Sequence, residues 1–383
     1  MKLKTFIILV SIIAFFSIGV SAQDNFSDTI PYQIVHDKIV ISLKINGKDA
    51  KVVYDSGGKP WIIQSEAQRL GIGISGQTGV SDMNVKTSWQ NKGSIAELVI
   101  SKHCKRINQE TIIGPNNGSF KTLGVAGLIN NEVFQDVVVT ILSRENKLVI
   151  TPYRPSWVKK TDGIQIKSLT NHAFMIPLQI GDRPATAMFD TGYGGLLVVG
   201  NAMLRSPDSI SFKKINSLFG INGIGINGIP EPSNFYKVLI PSFRIGQKLF
   251  SNYGTVTHAL DRCVIGIDLL KYGNVVLDIP RQVFYFYPFE PETVNFDGVP
   301  KTWNLSVLPV KKDHFQVSGI WGTLRKDVSV GDKVTGINGK SLTGIAPSQF
   351  EIEKMMDDIK SDQAYLTIEK NGKEIKVPMK QVK

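Results

Sequence analysis

The chain has 383 residues, of which 42% are hydrophobic and 9% aromatic, so it can bury large cores and lacks the composition of a disordered protein. Its formal net charge is +11, but the lysines and arginines are scattered, and no basic stripe interleaved with aromatic residues is present. This distribution favours a solvated basic surface and argues against a nucleic-acid partner.

Residues 1–22 have the pattern of a signal peptide. Lys2 and Lys4 precede an apolar run at residues 6–20, and Ala22 ends a small-residue cleavage site. The apolar run is shorter than the ~20 residues that a membrane-spanning helix needs. We therefore expect export to the periplasm or the medium, cleavage after Ala22, and no membrane span in the mature protein.

One segment of the chain occurs twice. Short β-branched runs separated by Gly, Asn and Pro dominate residues 30–290, which predicts mainly antiparallel β structure. Within this region, a hairpin with a glycine turn leads into an apolar strand that ends in Asp-(Ser/Thr)-Gly, first at residues 39–57 and again at 174–192. Such self-similarity is the signature of a duplicated structural unit.

A glycine after two apolar residues is a second shared landmark, at Gly127 and Gly266. The offset between these glycines nearly equals the offset between the aspartates of the two triplets. We therefore predict two duplicated β lobes, residues 23–155 and 156–292, that face each other across a cleft.

The two triplets bring together the side chains of an acid–base pair. Asp55 and Asp190 each follow an apolar strand, and strand ends are rigid supports for a site. Two carboxyl groups ~3 Å apart cannot both ionise cheaply, so one keeps a proton and the pair titrates as a unit. The charged member can then activate a water molecule while the neutral member donates a proton.

The other triplet residues support this dyad. Gly57 and Gly192 allow the two backbones to approach closely and turn tightly. Ser56 and Thr191 supply hydroxyl groups that can hydrogen-bond across the lobes and fix the planes of the carboxyl groups.

On these residues, the chain between about 30 and 290 resembles the pepsin and retroviral-protease superfamily in its single-chain, two-lobed form. Residues 264–287 are the most pepsin-like stretch. The resemblance implies a duplicated acid-protease-type β-barrel fold, endopeptidase activity on a peptide or protein substrate, and a flap in at least one lobe. Lys59 and Tyr193 depart from the family pattern, and a lysine ammonium near the dyad would favour ionisation of both carboxyl groups. A catalytically weak or inactive peptide-binding protein is therefore the alternative.

Residues 223–228 match the dinucleotide fingerprint G-x-G-x-x-G, but Pro230 and Pro232 follow where a phosphate-binding helix would begin. The position of this stretch in the repeat instead predicts a glycine-rich flap, with Gly223 and Gly225 at the substrate cleft. The matching place in the first lobe makes Trp89 a candidate for the flap tip, and an aromatic side chain packed on the lobe is the alternative.

Prolines at 288, 291 and 300 indicate a linker, after which residues 297–383 are predicted to form a separate small α+β domain. A helix is expected from about 347 to 359, followed by two strands joined at Asn371-Gly372. Residues 330–334 and 337–340 resemble the core of bacterial PDZ domains. This resemblance implies capture of a peptide C-terminus at a sheet edge, for which residues 315–319 are the candidate. A packing or regulatory role is the alternative.

Cysteine and histidine patterns exclude several other chemistries. The five histidines show no metal-ligand spacing, and neither G-x-S-x-G nor HExxH occurs, so no metal, no other cofactor and no serine or zinc hydrolysis are expected. Two cysteines, Cys104 and Cys263, are too few for a disulfide framework, so they either pair with each other or stay buried as free thiols.

Overall fold

The computed structural model describes residues 25–82, 84–116, 118–168, 173–204, 212–223, 225, 227–311, 314–323, 325–345 and 349–383. The predicted signal peptide at 1–22 lies outside these residues. Among the helices within them, none has both the length and the apolar character needed to cross a bilayer.

The prediction of a mainly β chain is confirmed, because strands dominate the described residues. Before residue 155 the strands are β1 (Asp28–Val35), β2 (Lys38–Ile45), β3 (Lys48–Tyr54), β4 (Trp61–Ile63), β5 (Ile74–Ser81), β6 (Thr87–Val99), β7 (Lys105–Gly114), β8 (Gly127–Ile129), β9 (Val138–Leu142) and β10 (Lys147–Thr151). The described α-helices in this part of the chain are α1 (Gln64–Leu70) and α2 (Gly118–Leu123), and short 3-10 helices lie at Asn131–Phe134 and Ser143–Glu145.

Between residues 156 and 292 the strands are β11 (Ile164–Gln165), β12 (Lys167–Ser168), β13 (Phe174–Ile180), β14 (Arg183–Phe189), β15 (Leu197–Val198), β16 (Lys213–Gly220), β17 (Ser233–Ile245), β18 (Lys248–Val256), β19 (Cys263–Ile265), β20 (Gly273–Asp278) and β21 (Val283–Pro288). After residue 292 come β22 (Val294–Gly298), β23 (Thr302–Trp303), β24 (Leu305–Lys311), β25 (His314–Trp321), β26 (Lys333–Ile337), β27 (Lys340–Ser341), α3 (Gln349–Asp357), β28 (Gln363–Lys370) and β29 (Lys373–Val382).

One pattern of strand pairing occurs twice, first in β1–β10 and again in β11–β21, which we call the first and second repeat. In each repeat a hairpin, β2–β3 or β13–β14, is extended by a parallel strand, β8 or β19. The pairings are equivalent: Tyr54 at the end of β3 lies beside Ile129, and Phe189 at the end of β14 lies beside Ile265. Each repeat also packs a long antiparallel strand, β6 or β17, against the outer side of its hairpin.

The two repeats share one antiparallel sheet of six strands in the order β11-β21-β20-β9-β10-β1. At its centre β9 of the first repeat pairs with β20 of the second, so that Val139 lies opposite Leu277 and Ile141 opposite Val275. These side chains are fully buried and belong to one apolar core that continues through both repeats. Burial of such β-branched and aliphatic side chains on both faces explains why these runs are continuously apolar.

The structure corrects the predicted alignment of Gly127 with Gly266. Gly127 lies within β8, where its counterpart in β19 is Cys263, whereas Gly266 follows β19, where its counterpart after β8 is Asn130. The predicted equivalence of Gly127 and Gly266 is therefore wrong. The two glycines meet different steric demands, since a Cβ on Gly127 would lie 1.8 Å from the Trp61 carbonyl oxygen and one on Gly266 would lie 2.2 Å from that of Gly195.

The C-terminal segment has its own apolar core, which runs from Leu305 to Met379. The strands β28 and β29 form the predicted hairpin at Asn371-Gly372, where both residues have the positive φ of a type I′ turn. The helix α3 lies within the predicted range, and Pro347 lies outside the described residues.

The strand β25 does not offer the predicted free edge at residues 315–319. It pairs with β24 along one side, while β26 and then β16 of the second repeat occupy the other side. Its backbone groups are therefore already bonded, and a peptide cannot add to it without displacing a strand.

The close approach of Gly127 in β8 to the backbone of Trp61 can be tested by adding one methyl group. We expect Gly127→Ala to lower the free energy of unfolding by ~1–3 kcal/mol or more, because the new Cβ would meet backbone rather than a flexible side chain. Gly73→Ala is the control, since nothing lies within 4 Å of its Cβ position, and we expect it to stay within ~0.5 kcal/mol of the wild type. Equal effects of the two substitutions in urea unfolding would contradict this packing.

Candidate active site

Equivalent strands place the two aspartates in equivalent backbone positions. Asp55 follows β3 and its N–H donates to the Ile129 carbonyl oxygen at 2.8 Å, while Asp190 follows β14 and its N–H donates to the Ile265 carbonyl oxygen at 2.8 Å. The parallel strand beside each hairpin therefore holds the start of the triplet in place.

A reciprocal pair of hydrogen bonds joins the two triplets. The Ser56 N–H donates to Thr191 Oγ1 and the Thr191 N–H donates to Ser56 Oγ, both at 3.0 Å. Each hydroxyl then donates across the interface between the repeats, from Ser56 Oγ to the Phe189 carbonyl oxygen at 3.0 Å and from Thr191 Oγ1 to that of Tyr54 at 2.7 Å. Both residues are fully buried, so we name these four bonds the hydroxyl network and expect them to be strongly ordered.

The glycines of the triplets lie directly against the opposing carboxyl groups. A Cβ on Gly57 would lie 2.5 Å from Cγ of Asp190, and a Cβ on Gly192 would lie 2.4 Å from Cγ of Asp55. Either methyl group would collide with a carboxyl group, so the absence of a side chain at both positions lets the aspartates meet. The structure thus brings together all six residues of the two triplets.

Backbone donors fix one oxygen of each carboxyl group. Asp55 Oδ1 accepts from the N–H groups of Gly57 at 3.2 Å and Gly58 at 2.8 Å, and Asp190 Oδ1 accepts from the N–H of Gly192 at 2.8 Å. These backbone bonds involve Oδ1 of each carboxyl group and leave Oδ2 outside them.

The side chains of Asp55 and Asp190 are hydrogen-bonded to each other, which requires a proton on one of the two carboxyl groups. Burial raises the pKa of Asp190 well above its usual range, and the charge of Asp55 together with a hydrogen bond between the two side chains raises it further. The Gly192 N–H and the Lys38 ammonium act in the opposite direction. A carboxyl group that keeps its proton beside a second carboxyl group is the arrangement of an acid and a base in one site.

Lys38 rather than Lys59 is the lysine whose charge acts on Asp190, and its effect is smaller than those of burial and of Asp55. Lys59 is exposed, whereas the Lys38 ammonium lies 3.6 Å from where a Cβ on Gly194, two residues after the second triplet, would stand. Lys38 follows a two-residue turn at His36 and Asp37, where both residues have the positive φ of a type I′ hairpin, and its ammonium donates to the Asp37 carbonyl oxygen at 3.4 Å. Sequence reasoning missed Lys38, because it belongs to the first repeat and acts on the second.

Two buried asparagines hydrogen-bond to residues that flank the first triplet. Asn131 Oδ1 accepts from the Tyr54 hydroxyl at 2.6 Å, and Asn130 Nδ2 donates to the Gly58 carbonyl oxygen at 3.1 Å. Asn130 stands where the second repeat has Gly266, so this support is particular to the first repeat. Its signal in the sequence was hidden by the mistaken alignment of the glycines.

The turn of the β5–β6 hairpin contacts the glycine-rich loop of the second repeat. Asn227 Nδ2 donates to the carbonyl oxygens of Val80 and Lys86, both at 2.7 Å, and its N–H donates to Asp82 Oδ2 at 3.1 Å. Ser88 Oγ donates to Asn227 Oδ1 at 2.6 Å. We call these contacts the loop bridge.

Of the predicted flap residues, Gly223 and Gly225 lie in the contact between the two loops, and Trp89 does not. A Cβ on Gly225 would lie 1.8 Å from Asp82 Oδ2, and the Gly223 carbonyl oxygen accepts from Asn84 Nδ2 at 3.2 Å, so both glycines belong to the contact between the loops. Residues 224 and 226 lie outside the described residues. Trp89 lies within β6 opposite Gly79 rather than in the turn, and 74% of its side chain is exposed.

The metal-ligating residue types and the two cysteines are the remaining candidate groups. Within the described ranges, no three His, Cys, Asp or Glu side chains converge as metal ligands would. Cys104 and Cys263 are both buried free thiols, and burial raises the pKa of the first to about 11 and of the second to about 12. Neither cysteine is therefore a thiolate at neutral pH.

Comparisons with protein-family models and with curated proteins return no match. The function is therefore inferred from the geometry of the site.

Proton linkage at Asp190 gives a test that needs no substrate. The unfolded carboxyl loses its proton near pH 4, whereas the folded one keeps it to higher pH, so wild-type stability falls as the pH rises through this window. Asn carries no such proton and still offers an N–H donor to Asp55. We expect Asp190→Asn to unfold at higher urea concentration than the wild type at neutral pH, with the gain shrinking as the pH falls toward 4.

The matched control is Asp49→Asn, an exposed carboxylate on β3, which we expect to leave the urea midpoint unchanged at both pH values. An Asp190→Asn variant no more stable than the wild type at neutral pH would contradict the raised pKa.

Proposed function

We propose that the chain is an aspartic endopeptidase in which Asp55 and Asp190 together activate a water molecule for attack on a peptide bond. The observation that carries this proposal is the hydrogen bond between two carboxyl groups, each packed against a glycine of the other triplet, with the triplets joined by the hydroxyl network. This network fixes the relative position of the carboxyl groups, which acid–base catalysis requires.

The proton inventory of the dyad suits the chemistry of hydrolysis. The member without a proton takes one from water as the water oxygen attacks the carbonyl carbon of the substrate. The protonated member donates to the carbonyl oxygen as charge develops there. Collapse of the tetrahedral intermediate then breaks the C–N bond, and a proton passes to the leaving nitrogen. Neither a metal nor a covalent intermediate is needed.

The fold that we propose is the two-lobed acid-protease type, with lobes at residues 23–155 and 156–292. The equivalent pairings of β3 with β8 and of β14 with β19 support it, as does the six-stranded sheet that the two repeats share. The turn of the β5–β6 hairpin and the glycine-rich loop would act as paired flaps. The loop bridge then has to open for a polypeptide to enter.

We propose a PDZ-like fold for residues 297–383. Its position for an extended peptide would be β24 rather than β25, because among the described strands β24 pairs with β25 alone, and α3 packs next to it. A peptide added there would complete the sheet by main-chain hydrogen bonds. Export by the N-terminal signal, to the periplasm or the medium, is likewise part of this proposal.

The second candidate function is peptide binding without cleavage, and the charge of Lys38 is the observation on its side. The Lys38 ammonium stabilises the charged form of Asp190, but burial and the charge of Asp55 outweigh it and keep the pKa of Asp190 high. The exposed position of Lys59 removes the other reason for this alternative.

Cleavage of a denatured protein mixture by the mature chain, from acid to neutral pH, separates the two functions. We expect Asp55→Asn and Asp190→Asn each to lower the rate by about 10²–10⁴-fold, because each removes one proton-transfer group. Asp49→Asn serves as the control and should cut at the wild-type rate.

Cleavage that survives both dyad substitutions would refute the mechanism. Tight peptide binding with no cleavage at any pH would favour the binding protein instead.

A further inference from the structure

The second repeat and the C-terminal segment are joined by strand pairing. Residues 218–220 of β16 pair antiparallel with residues 319–321 of β25, so that Leu218 lies beside Trp321. Beyond this ladder, the Ile221 N–H donates to the Ser318 carbonyl oxygen at 2.7 Å, and the Gly322 N–H donates to that of Ser217 at 2.8 Å. The strand that leads into the glycine-rich loop is therefore part of the C-terminal sheet.

This pairing is close-packed. A Cβ on Gly220, whose φ is +155°, would lie 2.2 Å from the Ser318 carbonyl oxygen, so the two strands approach where a side chain cannot fit. Leu218, Phe235 and Trp321 form a small buried apolar cluster at the same place. The contact therefore has the packing of a protein interior rather than of a loose domain interface.

Lys237 attaches the other strand of the same hairpin, β17, to the C-terminal segment. Its side chain is fully buried, and Nζ donates to the Pro300 carbonyl oxygen at 3.2 Å, to Thr302 Oγ1 at 2.8 Å and to the Val382 carbonyl oxygen at 3.3 Å. The ring of Trp321 lies 4.9 Å from the ammonium. All three N–H donors thus have an acceptor.

Burial of the Lys237 ammonium costs hydration free energy, which its three hydrogen-bond acceptors offset. Burial lowers the pKa of Lys237 to about 8, because removal from water disfavours the charged ammonium. A residue kept charged in such a place is expected to specify position rather than to add stability.

We propose that the C-terminal segment clamps the β16–β17 hairpin, with Lys237 as the positioning residue, and so holds the glycine-rich loop where Asn227 meets the β5–β6 turn. The clamp grips both strands of the hairpin, β16 through the pairing with β25 and β17 through Lys237. The loop bridge lies at the end of these two strands, so a displaced C-terminal segment would displace the loop. Its effect on cleavage rests on the proposed function, but the clamp itself does not.

The test compares two buried lysines on neighbouring strands. Lys248 on β18 is likewise buried, but its ammonium donates to the carbonyl oxygens of Glu290 and Glu292 in the linker and not to the C-terminal sheet. In the full chain we expect Lys237→Met to speed amide hydrogen exchange at residues 218–221 and 319–322 by about tenfold or more. Lys248→Met should leave exchange at these residues unchanged.

Thr302→Val provides a second variant in case Lys237→Met does not fold. It removes one acceptor of the lysine and leaves the charge in place, so we expect faster exchange at the same amides. Unchanged exchange in every folded variant, or an equal change in Lys248→Met, would overturn the clamp.

Cleavage kinetics give a readout that a purely structural role would not produce. We expect Lys237→Met to raise KM several-fold with kcat nearly unchanged, because a misplaced loop weakens substrate binding and leaves the dyad intact. A proportional fall in kcat with unchanged KM would contradict the positioning role. If the wild-type chain cleaves nothing, the exchange data still decide whether the clamp exists.

Discussion

The hydroxyl network of Ser56 and Thr191 is the constraint on which the site depends. Each hydroxyl accepts from one triplet backbone and donates to the strand before the other aspartate, so neither repeat can move without breaking a buried bond. Because the network joins the residues that directly follow the two aspartates, it constrains the separation of the carboxyl groups without any substrate. Leaving one of its members unpaired would cost ~1–3 kcal/mol, which is a large part of a typical domain's stability.

The contact between the two carboxyl groups is itself destabilising, and the hydroxyl network has to offset it. Two carboxyl groups in contact raise the pKa of Asp190, and a glycine on each side removes the bulk that would keep them apart. In the proposed enzyme this geometry would give up stability for reactivity, as sites with strongly perturbed pKa values commonly do. Lys38 tempers this trade by supplying positive charge from the opposite repeat.

Much of the fold and the site could be predicted from the sequence, because the duplicated hairpin and the two triplets are local patterns. The same locality misled the alignment of Gly127 with Gly266, since an apolar pair before a glycine arises from two different close contacts. Lys38 was missed because it belongs to the first repeat and lies near Gly194 of the second, and no local sequence pattern indicates this contact. Likewise, nothing in the sequence shows that the edge predicted at residues 315–319 of β25 is already paired, with β24 on one side and with β26 and β16 on the other.

A carboxyl titration of the folded chain, followed by ¹³C chemical shifts of its aspartates, tests most directly whether Asp55 and Asp190 share one proton. We expect Asp190 to stay protonated well above the ordinary aspartate range in the wild type, and its apparent pKa to fall in Asp55→Asn, where the neighbouring negative charge is gone. Independent titration of both carboxyl groups near pH 4 in the wild type, unchanged by Asp55→Asn, would contradict a shared-proton dyad.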